Sequence, residues 1–138
     1  MTRDTTPTIV RINPPELGTP PGYSQIVDVA AGRIVFISGQ TALDGNGNLV
    51  GKSNFAEQAT QVFRNLGIAL QASGCTAANL VKLTVFLTDM NNLGSYREAR
   101  NRFFASVTPP AAPAVTLVEV SKLYGPDFLI EIEAIAAA

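Results

Sequence analysis

Two glutamates near the end of the sequence are the residues best suited to acid–base chemistry. Glu131 and Glu133 lie two residues apart in an apolar segment, residues 128–136, that is predicted to be a strand. Side chains at this spacing share one face of a strand, roughly 6.5–7 Å apart. One carboxylate could then deprotonate a water molecule in a partly dry cleft, with its pKa raised by burial. The spacing fits equally well two charges that protect a sheet face from aggregation, and periodicity alone does not separate these interpretations.

Other kinds of catalytic or metal site are excluded by residue types that the sequence lacks. It contains no histidine and one cysteine, Cys75, which excludes imidazole catalysis, a histidine-ligated metal, a cysteine-cluster zinc site and an intrachain disulfide. The turn at residues 44–48 invites a calcium-loop interpretation. Leu49 and Phe55, however, stand where that loop needs a glycine and a glutamate. We therefore expect no metal site.

Length and composition indicate one globular domain over residues 1–138. The sequence is 46% hydrophobic and only 15% charged, which suggests that some apolar surface is covered by copies of the same chain. The net charge of −1 disfavours a nucleic-acid partner. No signal peptide and no run of about 18 apolar residues is present, so we expect a cytoplasmic protein without a membrane partner.

Hydrophobic periodicity predicts the element order β-β-β-α-β-α-β-β. The first helix has Asn54 as its cap, covers about 20 residues and ends at Gly74. The second helix runs from Leu93 to about Phe103. The connection Ala31-Gly32 is compatible with a tight hairpin between the second and third strands. Strands are predicted over residues 8–13, 24–30, 33–38, 80–88, 114–120 and 128–136.

One mixed β-sheet covered on one face by two helices is the economical α+β arrangement of these elements. In the last strand, Ile130 and Ile132 point to one face, whereas Glu131, Glu133 and Ile135 point to the other. A face that mixes carboxylates with isoleucine is neither a core nor an ordinary solvent face. It suits the wall of a subunit interface that contains a polar cleft.

Several segments of the chain together resemble the Rid family, the reactive-intermediate (enamine/imine) deaminases that are also called YjgF-type proteins. The resemblance runs from about residue 20 to residue 136 and is most specific in the stretches S-G-Q and E-I-E-A-I-A. It implies a chorismate-mutase-like α+β fold and a homotrimer with three clefts between subunits. The matching segments are Tyr23-Ser24-Gln25, residues 36–40 (FISGQ), 49–51 (LVG), 85–90 (VFLTDM) and 131–136 (EIEAIA).

The resemblance also implies an activity and the residues that perform it. Active members of the family hydrolyse short-lived enamines and imines to ammonia and a keto acid, without a metal or cofactor. By position, Glu131 would place the attacking water and Tyr23 would be an aromatic lid. Gly39 would contribute backbone, and Ser38 and Leu117 would line the substrate cleft.

The chain departs from the family pattern at the residue that binds the substrate carboxylate. The family's Pro-Ala-Arg motif reads Pro113-Ala114-Val115 here, and a valine cannot form the two parallel hydrogen bonds of an arginine. Arg97 stands where the family has an asparagine in the cleft. It either takes over carboxylate binding from the missing arginine or is an ordinary surface residue.

Three functions remain open at this point. The first is hydrolysis of an enamine, imine or related small molecule other than a simple 2-imino acid. The second is a non-catalytic trimeric module that binds a metabolite or a protein. The third is an RNA-directed, ribonuclease-like role, which the resemblance implies because some relatives have been described as ribonucleases, and which a cluster formed by Arg97, Arg100 and Arg102 also supports. Such a cluster is more often a solvated helix face.

Overall fold

Helices and strands follow one another in the predicted order. The computed structural model describes residues 8–30 and 32–138. No helix within these residues combines the length and the apolar composition of a membrane span. The elements are β1 (Thr8–Ile12), β2 (Ile26–Ala30), β3 (Ile34–Gln40), α1 (Phe55–Ala72), β4 (Leu80–Leu87), α2 (Leu93–Phe104), β5 (Ala114–Glu119) and β6 (Ile130–Ala137).

The main sheet has the strand order β3-β6-β4-β5 and carries both helices on one face. β6 pairs antiparallel with β3 on one side and with β4 on the other, and β4 pairs parallel with β5. The antiparallel and parallel pairs make the sheet mixed. The predicted α+β class, with two helices on one face of a mixed sheet, is confirmed.

The expected hairpin between the second and third strands is wrong. β2 pairs antiparallel with β1, from Thr8 opposite Ala30 to Ile12 opposite Ile26, and β3 pairs with β6. The first two strands therefore form a ribbon of their own, and Ala31 lies outside the described residues. A short connection with glycine permits a hairpin but does not select it. Pairing with β6 brings the side chain of Ile37 into the core, and that long-range burial decides the partner of β3.

Helix α1 begins and ends where its sequence predicts. The Asn54 side chain accepts a hydrogen bond from the backbone N–H of Glu57 at 3.1 Å, which caps the first turn. After the last turn, Gly74 adopts a φ of +76°, a conformation that few other residues adopt without strain. The stripe that faces the sheet is buried, as the 3.6-residue period requires: Phe55, Ala59, Val62, Phe63, Leu66 and Leu70.

Strand β6 lies inside the sheet and separates the core from the open face. Ile130 and Ile132 are buried towards the helices, as predicted, and Ala134 is buried on the same side. The strand begins at Ile130, two residues later than predicted. The alternate positions face the side of the sheet that carries no helix. This open face also includes Phe36 of β3, whose side chain is 77% exposed. An aromatic ring this exposed on a flat sheet favours contact with another protein surface.

A buried amide on α1 holds the segment that leads into β6. The Gln58 side chain is fully buried and donates to the carbonyl oxygens of Gly51 (3.1 Å) and Asp127 (2.8 Å). Its Oε1 accepts a hydrogen bond from the N–H of Leu129 at 2.9 Å. The Asp127 carbonyl and the Leu129 N–H thus find their partner in one side chain, whereas the Gly51 carbonyl also accepts from the N–H of Asn54 at 2.9 Å.

Replacing Gln58 by alanine is expected to lower the free energy of unfolding by about 2–3 kcal/mol, since buried backbone groups lose their partners. The measurement is urea unfolding at one fixed protein concentration. Gln71→Ala is the matched control, because Gln71 is exposed near the other end of α1. It should change the same quantity by less than about 0.5 kcal/mol. Equal effects of the two substitutions would contradict the role given to Gln58.

Candidate active site

Glu131 lies on the open face at the middle of the sheet. It stands opposite Phe86 of β4, and its side chain is half-buried although no helix covers this face. Burial raises the pKa of the Glu131 carboxyl, and the negative charge of Glu133 raises it further. A carboxyl with a raised pKa is a stronger base once it is ionised, and it therefore suits proton abstraction from water.

A bulge in β3 makes room for this carboxylate. The register between β3 and β6 shifts by one residue between Ile37 and Gln40, so that Ser38 and Gly39 bulge out of the ladder. A Cβ atom on Gly39 would lie 2.6 Å from Oε2 of Glu131. Any larger residue here would displace the carboxylate from the position that it occupies. Gly39 and Glu131, which were predicted to share a site, do lie in contact.

Next to this pair is a shallow depression with polar and apolar walls. Its volume is about 220 Å³, and its lining includes the predicted residue Ser38 together with Phe36, Lys82, Thr84 and Glu133. Lys82 donates a hydrogen bond to the hydroxyl of Thr116 on β5. The open face thus carries hydroxyl groups, an ammonium group and carboxylates beside exposed aromatic surface, which is the mixed composition expected for a cleft wall.

Tyr23, Val115 and Leu117 lie elsewhere, at the β5 edge of the sheet. Val115 is aligned with the buried Leu83, and Leu117 with the buried Val85, so both side chains point to the helix side. The loop before β2 is held against the start of β5, since the N–H of Ser24 donates to the carbonyl of Pro113 at 3.1 Å. The half-buried Tyr23 is thereby fixed beside the residues that precede Val115.

The predicted residues therefore form two groups within one chain. Glu131, Ser38 and Gly39 lie on β6 and β3, and the other group lies at β5. β4 separates β6 from β5, which puts the two groups about 10 Å apart across the sheet. Val115 and Leu117 also face the opposite side of the sheet from Glu131.

Arg97 is exposed on α2, in the helix layer, and within one chain it lies on the other side of the sheet from Glu131. Its neighbour Arg100 is only 8% exposed and was not among the predicted site residues. The arginine cluster that supported an RNA-directed role is thus not one solvated face. The sequence could have indicated that Arg100 is buried, because Arg100 lies one turn after the apolar Tyr96 and therefore on the same face of α2.

Within the part of the chain that the structure describes, no group of three or more acidic, histidine or cysteine side chains is placed to hold a metal ion. The charged groups on the open face are those of Glu131, Glu133 and Lys82.

Comparisons with known proteins agree with this arrangement. Residues 16–138 match the family model described as Endoribonuclease L-PSP. A RutC family protein of Synechocystis is 39% identical over 115 residues, which cover 83% of this chain and 84% of that protein. The human 2-iminobutanoate/2-iminopropanoate deaminase is 37% identical over 114 residues, which cover 83% of this chain and 78% of the human protein.

Solved structures of similar proteins share the fold. The Rid-family protein YyfB of Yersinia pestis superposes with a TM-score of 0.82 at 32% identity, over 94% of this chain and 98% of that one. E. coli TdcF, solved with bound serine, gives a TM-score of 0.71 at 31% identity, over 88% and 91% of the two chains. With a family model that covers nearly the whole chain and relatives that match most of it, this chain belongs to the Rid (YjgF-type, Endoribonuclease L-PSP) family.

Proposed function

We propose that the protein hydrolyses the C=N bond of a small imine, or of an enamine after its tautomerisation to the imine, in a cleft between copies of the chain. The observation that carries this proposal is the half-buried carboxylate of Glu131, whose pKa is raised and which lies against the backbone of Gly39. Relatives with the name 2-iminobutanoate/2-iminopropanoate deaminase support the reaction class.

The chemistry needs one base and one water molecule. Ionised Glu131 takes a proton from the water as its oxygen attacks the imine carbon, and the C=N bond becomes a C–N single bond. That proton is passed to the nitrogen, which gives a neutral carbinolamine. Glu131 then moves the proton of the carbinolamine hydroxyl to the nitrogen, so that the C–N bond breaks, ammonia leaves and the C=O bond forms. The balance is one imine and one water consumed for one carbonyl compound and one ammonia released, so that no other reactant is required.

A cleft between copies explains why the predicted site residues are divided within one chain. A second chain that packs its β5 edge against the open face of the first would bring Tyr23 close to Glu131. The exposed Phe36 supplies apolar area for such an interface. A closed homotrimer repeats this contact three times and leaves no open face uncovered.

Val115 narrows the class of substrate. Without an arginine at this position, a carboxylate directly attached to the imine carbon has no charged partner from β5. We therefore propose that simple 2-imino acids are turned over but are not the preferred substrates. A protein that binds such compounds without turnover would instead be the metabolite-binding module.

Replacing Phe36 by aspartate is expected to convert a trimer to monomers, because each interface would then bury an unpaired charge. Sedimentation velocity measures the change. Ile68→Asp is the control, since Ile68 is 55% exposed on α1, on the other side of the sheet. A wild-type protein that sediments as a monomer would contradict the shared cleft.

Replacing Glu131 by glutamine is expected to reduce ammonia release from 2-iminobutanoate, generated in situ, by about 100-fold or more, because the amide cannot accept the proton of the water. Glu98→Gln removes an exposed carboxylate on α2 and should leave the rate unchanged. The proposal fails if the glutamine variant at position 131 is as active as the wild type.

The rate is expected to fall on the acid side as Glu131 becomes protonated. Because the pKa of Glu131 is raised, this loss should begin at a higher pH than for an ordinary glutamate. Glu133→Gln removes one of the two causes of the shift, and the acidic limb of kcat/KM should then move to lower pH. A limb that stays in place, or moves upward, would show that another group controls the profile.

A further inference from the structure

A second depression lies at the end of the sheet where β6 begins. Its volume is about 410 Å³, against about 220 Å³ for the depression lined by Phe36 and Glu133. Small-molecule sites in proteins usually occupy roughly 300–1,000 Å³. Most of its wall is the segment between β5 and β6, residues 121–128, which Thr88 and Leu129 complete. We call it the loop depression.

The loop depression begins two residues from Glu131 along the sheet. Glu131 stands opposite Phe86. Two residues after Phe86, the N–H of Thr88 donates to the carbonyl of Leu129 at 3.3 Å. Because the intervening Leu87 is buried, alternation puts Phe86 and Thr88 on the open face, roughly 6.5–7 Å apart. A molecule whose imine carbon lies at Glu131 therefore fills the loop depression only with a substituent of several atoms.

Two aromatic rings give the loop depression an apolar wall. The centroids of the Tyr124 and Phe128 rings are 4.7 Å apart and their planes are inclined by 47°, which is a favourable aromatic pair. Leu123 and Pro126 add aliphatic surface. Lys122 also lines the depression but is exposed, so its ammonium group can remain in water. The wall therefore favours an uncharged, apolar group.

Both rings are held in place, although Tyr124 is 70% exposed. The Tyr124 hydroxyl lies 2.6 Å from the hydroxyl of the buried Thr41, just after β3, and the two form a hydrogen bond. A Cβ atom on Gly125 would stand 2.7 Å from Cε2 of Phe128, so this ring packs directly on the glycine. The Gln58 hydrogen bonds fix the chain on both sides of Phe128. Rings that are already ordered lose little conformational entropy when a ligand packs against them.

We propose that the loop depression binds the substituent on the imine carbon, and that the preferred substituent is a large apolar group such as a branched aliphatic or aromatic side chain. This inference rests on the proposed function and specifies the part of the substrate that the reaction itself leaves open. A methyl or ethyl substituent would end before it reached the two rings. Selectivity then belongs to the segment 121–128, which is separate from the base.

Two 2-imino acids with the same carboxylate isolate the effect of the substituent. Ammonia release from 2-imino-3-phenylpropanoate and from 2-iminobutanoate, both generated in situ, gives two kcat/KM values. The wild type should favour the phenyl compound at least about 10-fold. Leu123→Trp fills the loop depression and should bring this ratio close to one. Gln71→Trp adds the same ring at an exposed position of α1 and should retain the wild-type ratio.

Two milder variants test what holds the rings. Gly125→Ala should displace the Phe128 ring, and Tyr124→Phe removes only the hydroxyl that bonds to Thr41. Each should lower the ratio of the two kcat/KM values several-fold. Because both rates scale with the amount of folded enzyme, partial unfolding of a variant cancels in the ratio.

A wild-type ratio of one or less would overturn the proposal, and so would a wild-type ratio in Leu123→Trp. If Leu123→Trp changes the sedimentation coefficient but not the ratio, a second copy of the chain fills the depression and the proposal is again wrong. In each of these cases, loss of turnover of both imines in Glu131→Gln would still support imine hydrolysis.

If the wild type hydrolyses neither imine, the proposed function fails, and titration calorimetry with the corresponding keto acids decides the binding assignment. Tighter binding of 2-oxo-3-phenylpropanoate than of 2-oxobutanoate, by at least about 10-fold and lost in Leu123→Trp, would support the loop depression as a site for apolar groups. Equal binding of the two keto acids would overturn it.

Discussion

The two-residue alternation of β6 is the constraint on which both the core and the site depend. Because this strand is paired on both edges, it cannot rotate or shift by one residue without moving its apolar side chains out of the helix layer. Ile130 and Ile132 therefore fix the direction of the residue between them. Glu131 points away from the core as a consequence of the burial of its neighbours, and the Gln58 hydrogen bonds hold the segment that leads into the strand.

The two faces of the main sheet give charged groups different surroundings. The Glu131 carboxylate lies on the open face, where it is half-buried and can still reach water. Arg100 lies in the helix layer and is only 8% exposed. Under the proposed function, a second chain supplies the wall that the open face lacks, so that catalysis would depend on assembly.

The sequence predicts the local features of this structure well and its long-range features less well. The Asn54 cap, the buried stripe of α1 and the two faces of β6 all follow from spacing, because each depends on residues within a few turns. The pairing of β3 with β6 depends on residues about a hundred positions apart, and a glycine turn gave the wrong partner. Arg100 was grouped with exposed arginines because charge in a helix usually indicates solvent. Only its contacts with Gly22 and Tyr96 show otherwise.

The bulge at Gly39 also restricts how this protein can diverge. A side chain at position 39 would stand well inside van der Waals distance of the Glu131 carboxylate, which would have to leave its present position. A lineage that lost the acid would be free to replace the glycine, whereas one that keeps the carboxylate in this position is expected to keep the glycine. The two positions are therefore expected to change together, and their joint presence in relatives would mark a carboxylate held in this place.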